Sequence, residues 1–156
     1  FIKAQLKDWK LVIAGSNDQM PDYVENLHKL SDGCKDVVFT GAVYAEDKSR
    51  LLRDAYCFCL PSTIEGLSIV MMEAASYQLP TIASDIDANR EFLKDDAVYV
   101  RPENEQDLME ALRYAVEHPD EMEALKAVNY HKILDTYTWD KVALRYVEYL
   151  KSIGVQ

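Results

Sequence analysis

Glycine, proline and cysteine are scarce in this sequence, with 5, 5 and 3 residues among 156. The low glycine and proline content excludes collagen-like and low-complexity chains. Three cysteines cannot all pair with one another, and the first residues lack the basic-then-apolar pattern of a signal peptide. We therefore expect a protein of the reducing cytoplasm and not a disulfide-stapled secreted one.

Long hydrophobic runs are also absent from the sequence. Runs such as Leu11–Ala14 and Ile69–Met72 are far shorter than the roughly 20 apolar residues that span a bilayer. A chain of this length with 49% hydrophobic residues predicts one globular domain, residues 1–156, with a core of its own. Because residue 1 is Phe and not Met, we expect the chain to be a fragment of a longer protein.

Basic residues are outnumbered, since 17 Lys and Arg face 27 Asp and Glu and give a net charge of −10. Such a surface repels nucleic acid and anionic lipid, so neither is expected as a partner. A phosphate group bound by this chain must then be held by main-chain amides, which attract anions at the start of a helix.

Five short apolar runs alternate with helix-like segments. The runs lie at residues 10–14, 37–40, 56–60, 81–83 and 97–100, and a mostly apolar helix is predicted from about Leu67 to Tyr77. Asn104, Pro119 and Thr138 are predicted to start further helices. The alternation predicts an α/β fold, a doubly wound parallel sheet with a helical C-terminal segment. Ligands of such sheets bind beyond the carboxyl ends of the strands.

The turn between the third predicted strand and the next helix carries the most informative residues. Ser62, Glu65 and Gly66 lie in this turn, and Glu73 interrupts the otherwise apolar helix. The amides of Gly66 to Val70 are predicted to cradle a diphosphate. A carboxylate can accept hydrogen bonds from two hydroxyl groups of a ribose or a hexose. The alternative is structural: Glu65 lies near the helix dipole, and Glu73 pairs with a lysine.

The order of several short motifs resembles a known family. The motifs are Pro61-Ser62, Glu65-Gly66, Glu73-Ala74, Leu79-Pro80 and Ser84-Asp85, with Ile13-Ala14-Gly15 and Val38 to Gly41 upstream. They resemble the C-terminal, donor-binding domain of retaining glycosyltransferases with the GT-B fold, specifically glycosyltransferase family 4. Glu65 and Glu73 match the family's pair of glutamates, which have seven residues between them.

The resemblance implies a role for each matching residue. Glu65 would be the catalytic residue that contacts the donor sugar near its reacting carbon, and Glu73 would hold the ribose hydroxyls. The loop with Val43 and Tyr44 would pack against the base. The residues implied to bind the nucleotide sugar are Gly15, Gly41, Val43, Ser62, Gly66, Leu67, Ser68, Ile69, Val70 and Glu73. Gln78 replaces a frequent glycine, a change expected to affect the turn and not the chemistry.

The function implied is the donor-binding half of a glycosyltransferase that moves a hexose-type sugar to a glycan or glycolipid, as in polysaccharide biosynthesis. The donor is a nucleotide-diphosphate sugar, with no metal or other cofactor. The implied partner is an N-terminal acceptor domain of the same chain, through which alone the protein would contact a membrane. The family's diphosphate-neutralising Arg and Lys are missing here, since Lys3, Lys7 and Lys10 fit a helix surface, so the fragment alone is expected to be inactive.

Other interpretations stay open. A nucleotide-sugar epimerase of similar fold and a non-catalytic α/β regulatory module are the alternative functions. Asp85 and Asp87 are interpreted as caps of a short helix, with substrate contact as the alternative, and Glu91 is a further candidate through the resemblance. Cys57 and Cys59 are predicted to be free thiols on one side of a strand and not metal ligands.

Overall fold

The structure is a computed structural model that describes residues 9–16, 18 and 20–154. Lys3 and Lys7 lie outside the described residues, so the interpretation of them as a helix surface stays a prediction. The chain divides into two compact units, residues 1–51 and 52–156. Each unit contains parallel strands joined by helices. The predicted α/β class is therefore confirmed.

The first unit contains a two-stranded parallel sheet. Its elements are β1 (Leu11–Ala14), α1 (Pro21–Leu30), β2 (Val37–Gly41) and the larger part of α2 (Ala45–Asp54). Leu11 lies opposite Val37, and the register shifts after Ile13 so that Ala14 lies opposite Gly41. Gly41 has a φ of +67°, a backbone conformation that glycine adopts without steric cost.

The second unit contains a three-stranded parallel sheet with the strand order β3-β4-β5. Its elements after α2 are β3 (Phe58–Leu60), α3 (Ile69–Ser76), β4 (Thr81–Ser84), α4 (Asp87–Leu93), β5 (Val98–Val100), α5 (Glu105–Glu117), α6 (Pro119–Lys132), a π-helix (Ile133–Tyr137) and α7 (Trp139–Ser152). The sequence predicts one sheet, whereas the ladder hydrogen bonds group the strands into a pair in one unit and a triplet in the other.

Alternate residues of the three-stranded sheet enter two separate hydrophobic clusters. Ala83 packs with Met71 and Phe92, from α3 and α4. Ile82 packs with Ala111 and Met122, from α5 and α6. Because neighbouring residues of a strand point to opposite faces, both faces of this sheet are covered by helices. The predicted doubly wound arrangement is confirmed for this unit.

The predicted helix starts are confirmed by the capping geometry. The Asn104 side chain accepts a hydrogen bond from the Asp107 amide, and the Thr138 side chain accepts one from the Lys141 amide. Pro119 occupies the first turn of α6. The cap predicted for α4 is wrong: its N-cap residue is Ile86, because the Asp85 carboxylate is bound to Arg90.

No helix within residues 9–16 and 20–154 combines the length and the apolar character needed to cross a membrane.

Candidate functional site

The turn from β3 to α3 places the predicted ligand-binding residues beyond the carboxyl end of a strand. Ser68 is the N-cap residue, with φ −70° and ψ 111°, and α3 begins at Ile69. The helix therefore starts two residues later than predicted from Leu67. Ser68 is buried, whereas Leu67 is half exposed. Gly66 and Leu67 contribute loop amides to this turn.

The first amides of α3 precede any hydrogen bond within the helix. The first such bond runs from the Met72 amide to the Ser68 carbonyl at 3.2 Å, so Ile69, Val70 and Met71 come before it. The Ser68 side chain makes no capping hydrogen bond, and the first turn of α3 holds no acidic residue. Unsatisfied amides at a helix start carry partial positive charge and favour anions such as phosphate.

Neither the backbone nor the packing of the described chain demands a glycine at position 66. A Cβ atom built on Gly66 meets nothing within 4 Å, and its φ lies outside the left-handed range. The same holds for Gly15, whereas the φ of Gly41 is left-handed. The space beside the Gly66 main chain is therefore open to a close approach by a ligand.

The two glutamates occupy different parts of this turn. Glu65 is half buried in the loop before α3. Glu73 is half buried in the second turn of the helix, between the fully buried Met71 and Ala74. Its carbonyl accepts hydrogen bonds from the Ser76 hydroxyl at 2.6 Å and the Tyr77 amide at 3.2 Å. These bonds fix the main chain of Glu73 in the helix, whereas Glu65 lies on the loop.

The end of α3 confirms the part of the Gln78 prediction that concerns the turn. Gln78 has a φ of +59°, a conformation that costs an L-residue about 1 kcal/mol or more. Its amide donates to the Ala75 carbonyl at 2.9 Å, and the Leu79 amide donates to the Ala74 carbonyl at 3.0 Å. This pair of bonds is a Schellman motif, which favours glycine at the position of Gln78.

Asp85 follows β4 directly and is held by Arg90. The Arg90 guanidinium donates two hydrogen bonds to this carboxylate, at 2.6 and 2.9 Å. It also lies over the Tyr99 ring, 3.8 Å from the centroid. The bond from Arg90 holds the pKa of Asp85 below its usual value. No sequence pattern indicates this role of Arg90, since a separation of five residues across a loop matches no helical pairing pattern.

Two buried polar atoms lie beneath Asp85. The Asn89 side-chain amide donates to the Ser84 carbonyl at 2.9 Å. The Asn89 Oδ1 and Ser84 Oγ atoms are buried without a hydrogen-bond partner among the described residues. No sequence pattern indicates this role of either side chain.

The candidates in the first unit lie around the ends of β1 and β2. The Gly15 amide donates to the Gly41 carbonyl at 2.9 Å, so these two glycines are adjacent. Val43 follows two residues later and is half buried, and Tyr44 is 74% exposed. The ends of β1 and β2 are thus joined by a main-chain hydrogen bond, and the exposed Tyr44 ring lies three residues after Gly41 in the sequence.

The cysteines behave as predicted from their spacing. All three are free thiols, and Cys57 and Cys59 pack into the same hydrophobic cluster. Burial raises the pKa of Cys57 to about 11 and that of Cys59 to about 12, so both thiols stay protonated and unreactive near neutral pH. Within the part of the chain that the structure describes, no group of three or more His, Cys, Asp or Glu is placed to hold a metal ion.

Residues 1–118 match the family model described as "Glycosyl transferases group 1". The chain therefore belongs to this family of glycosyltransferases. It is 28% identical over 144 residues to an uncharacterized glycosyltransferase, MJ1607, of Methanocaldococcus jannaschii, and the match covers 91% of this chain and 37% of that protein.

Two solved structures share the fold. Alr3699/HepE of Anabaena in complex with UDP-glucose superposes with a TM-score of 0.82 and 18% identity, over 92% of this chain and 41% of that one. The C-terminal domain of LpcC, a glycosyl transferase group 1 protein of Francisella tularensis, superposes with a TM-score of 0.71 and 19% identity, over 88% of this chain and 74% of that one. The chain thus spans less than half the length of the archaeal relative and of the Anabaena protein.

Proposed function

We propose that the chain is the C-terminal, donor-binding half of a retaining glycosyltransferase of family 4. The observation that carries this proposal is the β3–α3 turn. It brings together helix-start amides, a glycine that nothing within the described chain requires, and two glutamates, at the edge of a parallel sheet where ligands bind. Membership of the group 1 family supports a sugar nucleotide as the ligand.

Each part of the turn matches one part of the donor. The amides of Gly66 and Leu67 in the loop and of Ser68, Ile69 and Val70 at the helix start face the diphosphate, and the Ser62 hydroxyl lies at the start of the same loop. Glu73, held on α3, accepts the vicinal hydroxyls of the ribose. Glu65, on the loop, accepts hydroxyls of the sugar next to the bond that breaks.

Catalysis by such a site is electrostatic and positional. As the bond from the sugar to the diphosphate breaks, negative charge grows on the phosphate oxygens, and oriented amides stabilise it. The positive charge that develops on the sugar lies near Glu65, whose carboxylate favours it. Both interactions strengthen toward the transition state, which is the condition for raising the rate. The scheme uses no metal ion or other cofactor.

For the first unit taken by itself, the resemblance implies that the loop with Val43 packs against a nucleotide base and that Gly15 and Gly41 are among the residues that bind a nucleotide sugar. Gly15 has room for a ligand, since a Cβ atom there meets nothing within 4 Å. The exposed ring of Tyr44 offers a stacking surface for a base.

The acceptor is proposed to bind to another domain of a longer polypeptide. This chain covers 37% of the archaeal relative and 41% of the Anabaena protein, and a C-terminal domain of a group 1 protein forms the same fold. We expect that domain to bring the glycan or glycolipid acceptor and any contact with a membrane, and the enzyme to work in the cytoplasm. The chain alone is expected to bind donors and to transfer a hexose-type sugar negligibly.

Binding of UDP, GDP and ADP to the isolated chain tests this function. A half-site without its partner domain is expected to bind one of the three near the millimolar level, about −4 kcal/mol. Glu73→Gln should weaken that binding at least tenfold, whereas Glu117→Gln, at the far end of α5, should leave it unchanged. Failure of all three nucleotides to bind, at concentrations up to tens of millimolar, contradicts the proposal.

Product analysis on the longer polypeptide separates transfer from the alternative of epimerisation. A transferase consumes the donor only when acceptor is present and keeps the anomeric configuration of the sugar. An epimerase converts the donor to a second nucleotide sugar without acceptor. The regulatory-module alternative needs a carboxylate available for modification, whereas Asp85 is engaged by Arg90.

A further inference from the structure

A π-helix follows α6 without a break. It spans Ile133–Tyr137, and Lys132 before it is the last residue of α6. π-helices are rare in proteins and occur frequently at functional sites. This one packs against α3, the helix that carries Glu73 and the proposed phosphate-binding amides. The π-helix is therefore connected with the proposed donor site by direct packing, although it lies far along the chain from the β3–α3 turn.

Met71 links the start of α3 to the side chains packed beneath it. Its amide is one of the three that precede the first hydrogen bond within α3, and its side chain is fully buried. That side chain shares a hydrophobic cluster with Phe92, and Ile133 and Tyr137 of the π-helix pack against the same cluster. Because close-packed interiors transmit small displacements, the packing of this cluster constrains the direction in which the first turn of α3 points.

Tyr137 contacts the cluster through its ring. The Tyr137 and Phe92 rings meet edge to face, with centroids 5.1 Å apart and planes inclined by 71°. Phe92 is 1% exposed. Edge-to-face aromatic pairs have a preferred geometry that an aliphatic side chain does not reproduce. The last residue of the π-helix thus forms one wall of the cluster that holds Met71.

The end of α6 is anchored to the segment between α4 and β5. The Lys132 ammonium donates to the Leu93 carbonyl at 2.5 Å and pairs with the Asp96 carboxylate at 2.7 Å. It also donates to the Asn129 side-chain oxygen at 3.3 Å, and the Asn129 amide group donates to the Asp96 carbonyl at 2.9 Å. Since these contacts use the three donors of the ammonium, they fix the start of the π-helix relative to α4.

We propose that the π-helix is a positioning element of the donor site and that Tyr137 is a positioning residue within it. The inference rests on the function proposed above. Tyr137 acts through Phe92 and Met71 and not by contact with the donor: it holds the start of α3 in the direction in which its amides meet the diphosphate. Donors of hydrogen bonds that are already oriented lose less freedom on binding and therefore bind an anion more tightly.

Substitution of Tyr137 tests the inference on the isolated chain, with whichever of UDP, GDP and ADP the parent chain binds. Tyr137→Leu removes the ring that contacts Phe92 and should weaken binding about fivefold, at a temperature at which the variant is fully folded. It should also move the amide signals of Ile69 to Met71 in the NMR spectrum of the ligand-free chain. Tyr137→Phe keeps the ring and should retain the parent affinity and signals.

Ile133→Ala provides a second variant of the same element. It removes another contact with the Met71 cluster from the start of the π-helix, so it should weaken nucleotide binding in the same direction. This variant tests the inference even if Tyr137→Leu does not fold.

Met122→Ala is the matched control for a loss of stability. Met122 is 1% exposed and belongs to the cluster on the other face of the sheet. Among the described residues, no member of that cluster comes from α3. The substitution leaves a cavity away from α3, so it should lower the free energy of unfolding without changing the affinity for the nucleotide.

The outcomes separate this inference from the proposed function. If the π-helix variants lose stability but keep the parent affinity, the inference is overturned, because the π-helix then has only a structural role, while nucleotide binding by the parent chain stands. An equal loss of affinity in Met122→Ala overturns the inference as well, because any destabilisation would then suffice. If the parent chain binds none of the three nucleotides, the proposed function is overturned, and the inference with it.

Discussion

Arg90 binds Asp85 through two hydrogen bonds, Nε to Oδ1 at 2.6 Å and Nη2 to Oδ2 at 2.9 Å. This bidentate pair fastens α4 to the residue that follows β4, and the guanidinium packs on Tyr99 of the neighbouring strand β5. One consequence is structural, because the pair ties helix and sheet together. Another is electrostatic, because the carboxylate that follows β4 and the Arg90 guanidinium neutralise each other.

The glycines in the two units are expected to respond differently to substitution by alanine. Gly66→Ala should leave the free energy of unfolding within about 0.5 kcal/mol of the parent or raise it, because the position has room and no left-handed φ. It should nevertheless weaken nucleotide binding several-fold, because the added Cβ atom fills the space of a phosphate.

Gly41→Ala serves as the matched variant for stability. Its φ of +67° makes alanine there cost about 1 kcal/mol. Urea denaturation and nucleotide titration on both variants check the pair of expectations. Loss of stability in Gly66→Ala, comparable with that in Gly41→Ala, would show that position 66 is structural.

Gln78→Gly is expected to stabilise the protein. Gln78 terminates α3 with a φ of +59°, and glycine removes the steric cost of about 1 kcal/mol, offset in part by the larger entropy of the unfolded chain. We expect a net gain of about 0.5 kcal/mol in urea denaturation. Gln78→Ala keeps the Cβ atom and should show no gain; a gain of equal size there would contradict the explanation by φ.

The Arg101–Asp107 pair predicts a specific loss of stability in acid. The hydrogen bonds from Arg101 lower the pKa of Asp107 from 3.8 to about 2. A lowered carboxyl pKa contributes stability that is present above pH 4 and is lost as the pH falls from about 4 through 2. In Asp107→Asn, the free energy of unfolding should be lower at pH 7 and should fall less steeply between pH 4 and 2.

Arg101→Gln removes the other partner of this pair and should flatten the same part of the pH profile. Denaturant unfolding at a series of pH values checks both variants. An unchanged slope between pH 4 and 2 in both would mean that the pair does not set the pKa of Asp107.

The buried thiols should resist alkylation. With pKa values of about 11 and 12, Cys57 and Cys59 hold almost no thiolate at pH 8, and the thiolate is the reactive form. In the folded protein, iodoacetamide should modify Cys34 well before either of them, as read by mass spectrometry of peptides. All three should react at similar rates in urea. Rapid modification of Cys59 in the folded state would contradict the packing described for β3.

Much of the fold follows from local sequence signals. The strands were predictable because short apolar runs end at turn residues, and the caps at Asn104 and Thr138 because their side chains accept a main-chain amide two or three residues on. The resemblance pointed to the turn at Gln78, where the family frequently has glycine, and the positive φ of Gln78 is a conformation that glycine adopts without steric cost.

Other features depend on contacts that a sequence pattern does not carry. The start of α3 at Ile69 follows the extended backbone of Ser68, which the apolar run from Leu67 does not reveal. The division of the strands into two sheets depends on ladder pairing between distant segments. The pairing of Asp85 with Arg90 depends on how the loop after β4 bends. For the site itself, the sequence located the turn and its glutamates, whereas their roles toward a donor stay predictions.

The central claim is that a nucleoside diphosphate binds to the amides at the start of α3. Two-dimensional NMR of the isotopically labelled chain, titrated with UDP, GDP and ADP, tests it residue by residue. We predict that one nucleotide shifts the amide signals of Gly66 to Met71 and that Glu73→Gln abolishes those shifts. Shifts confined to other parts of the chain, or none with any of the three nucleotides, would contradict the account.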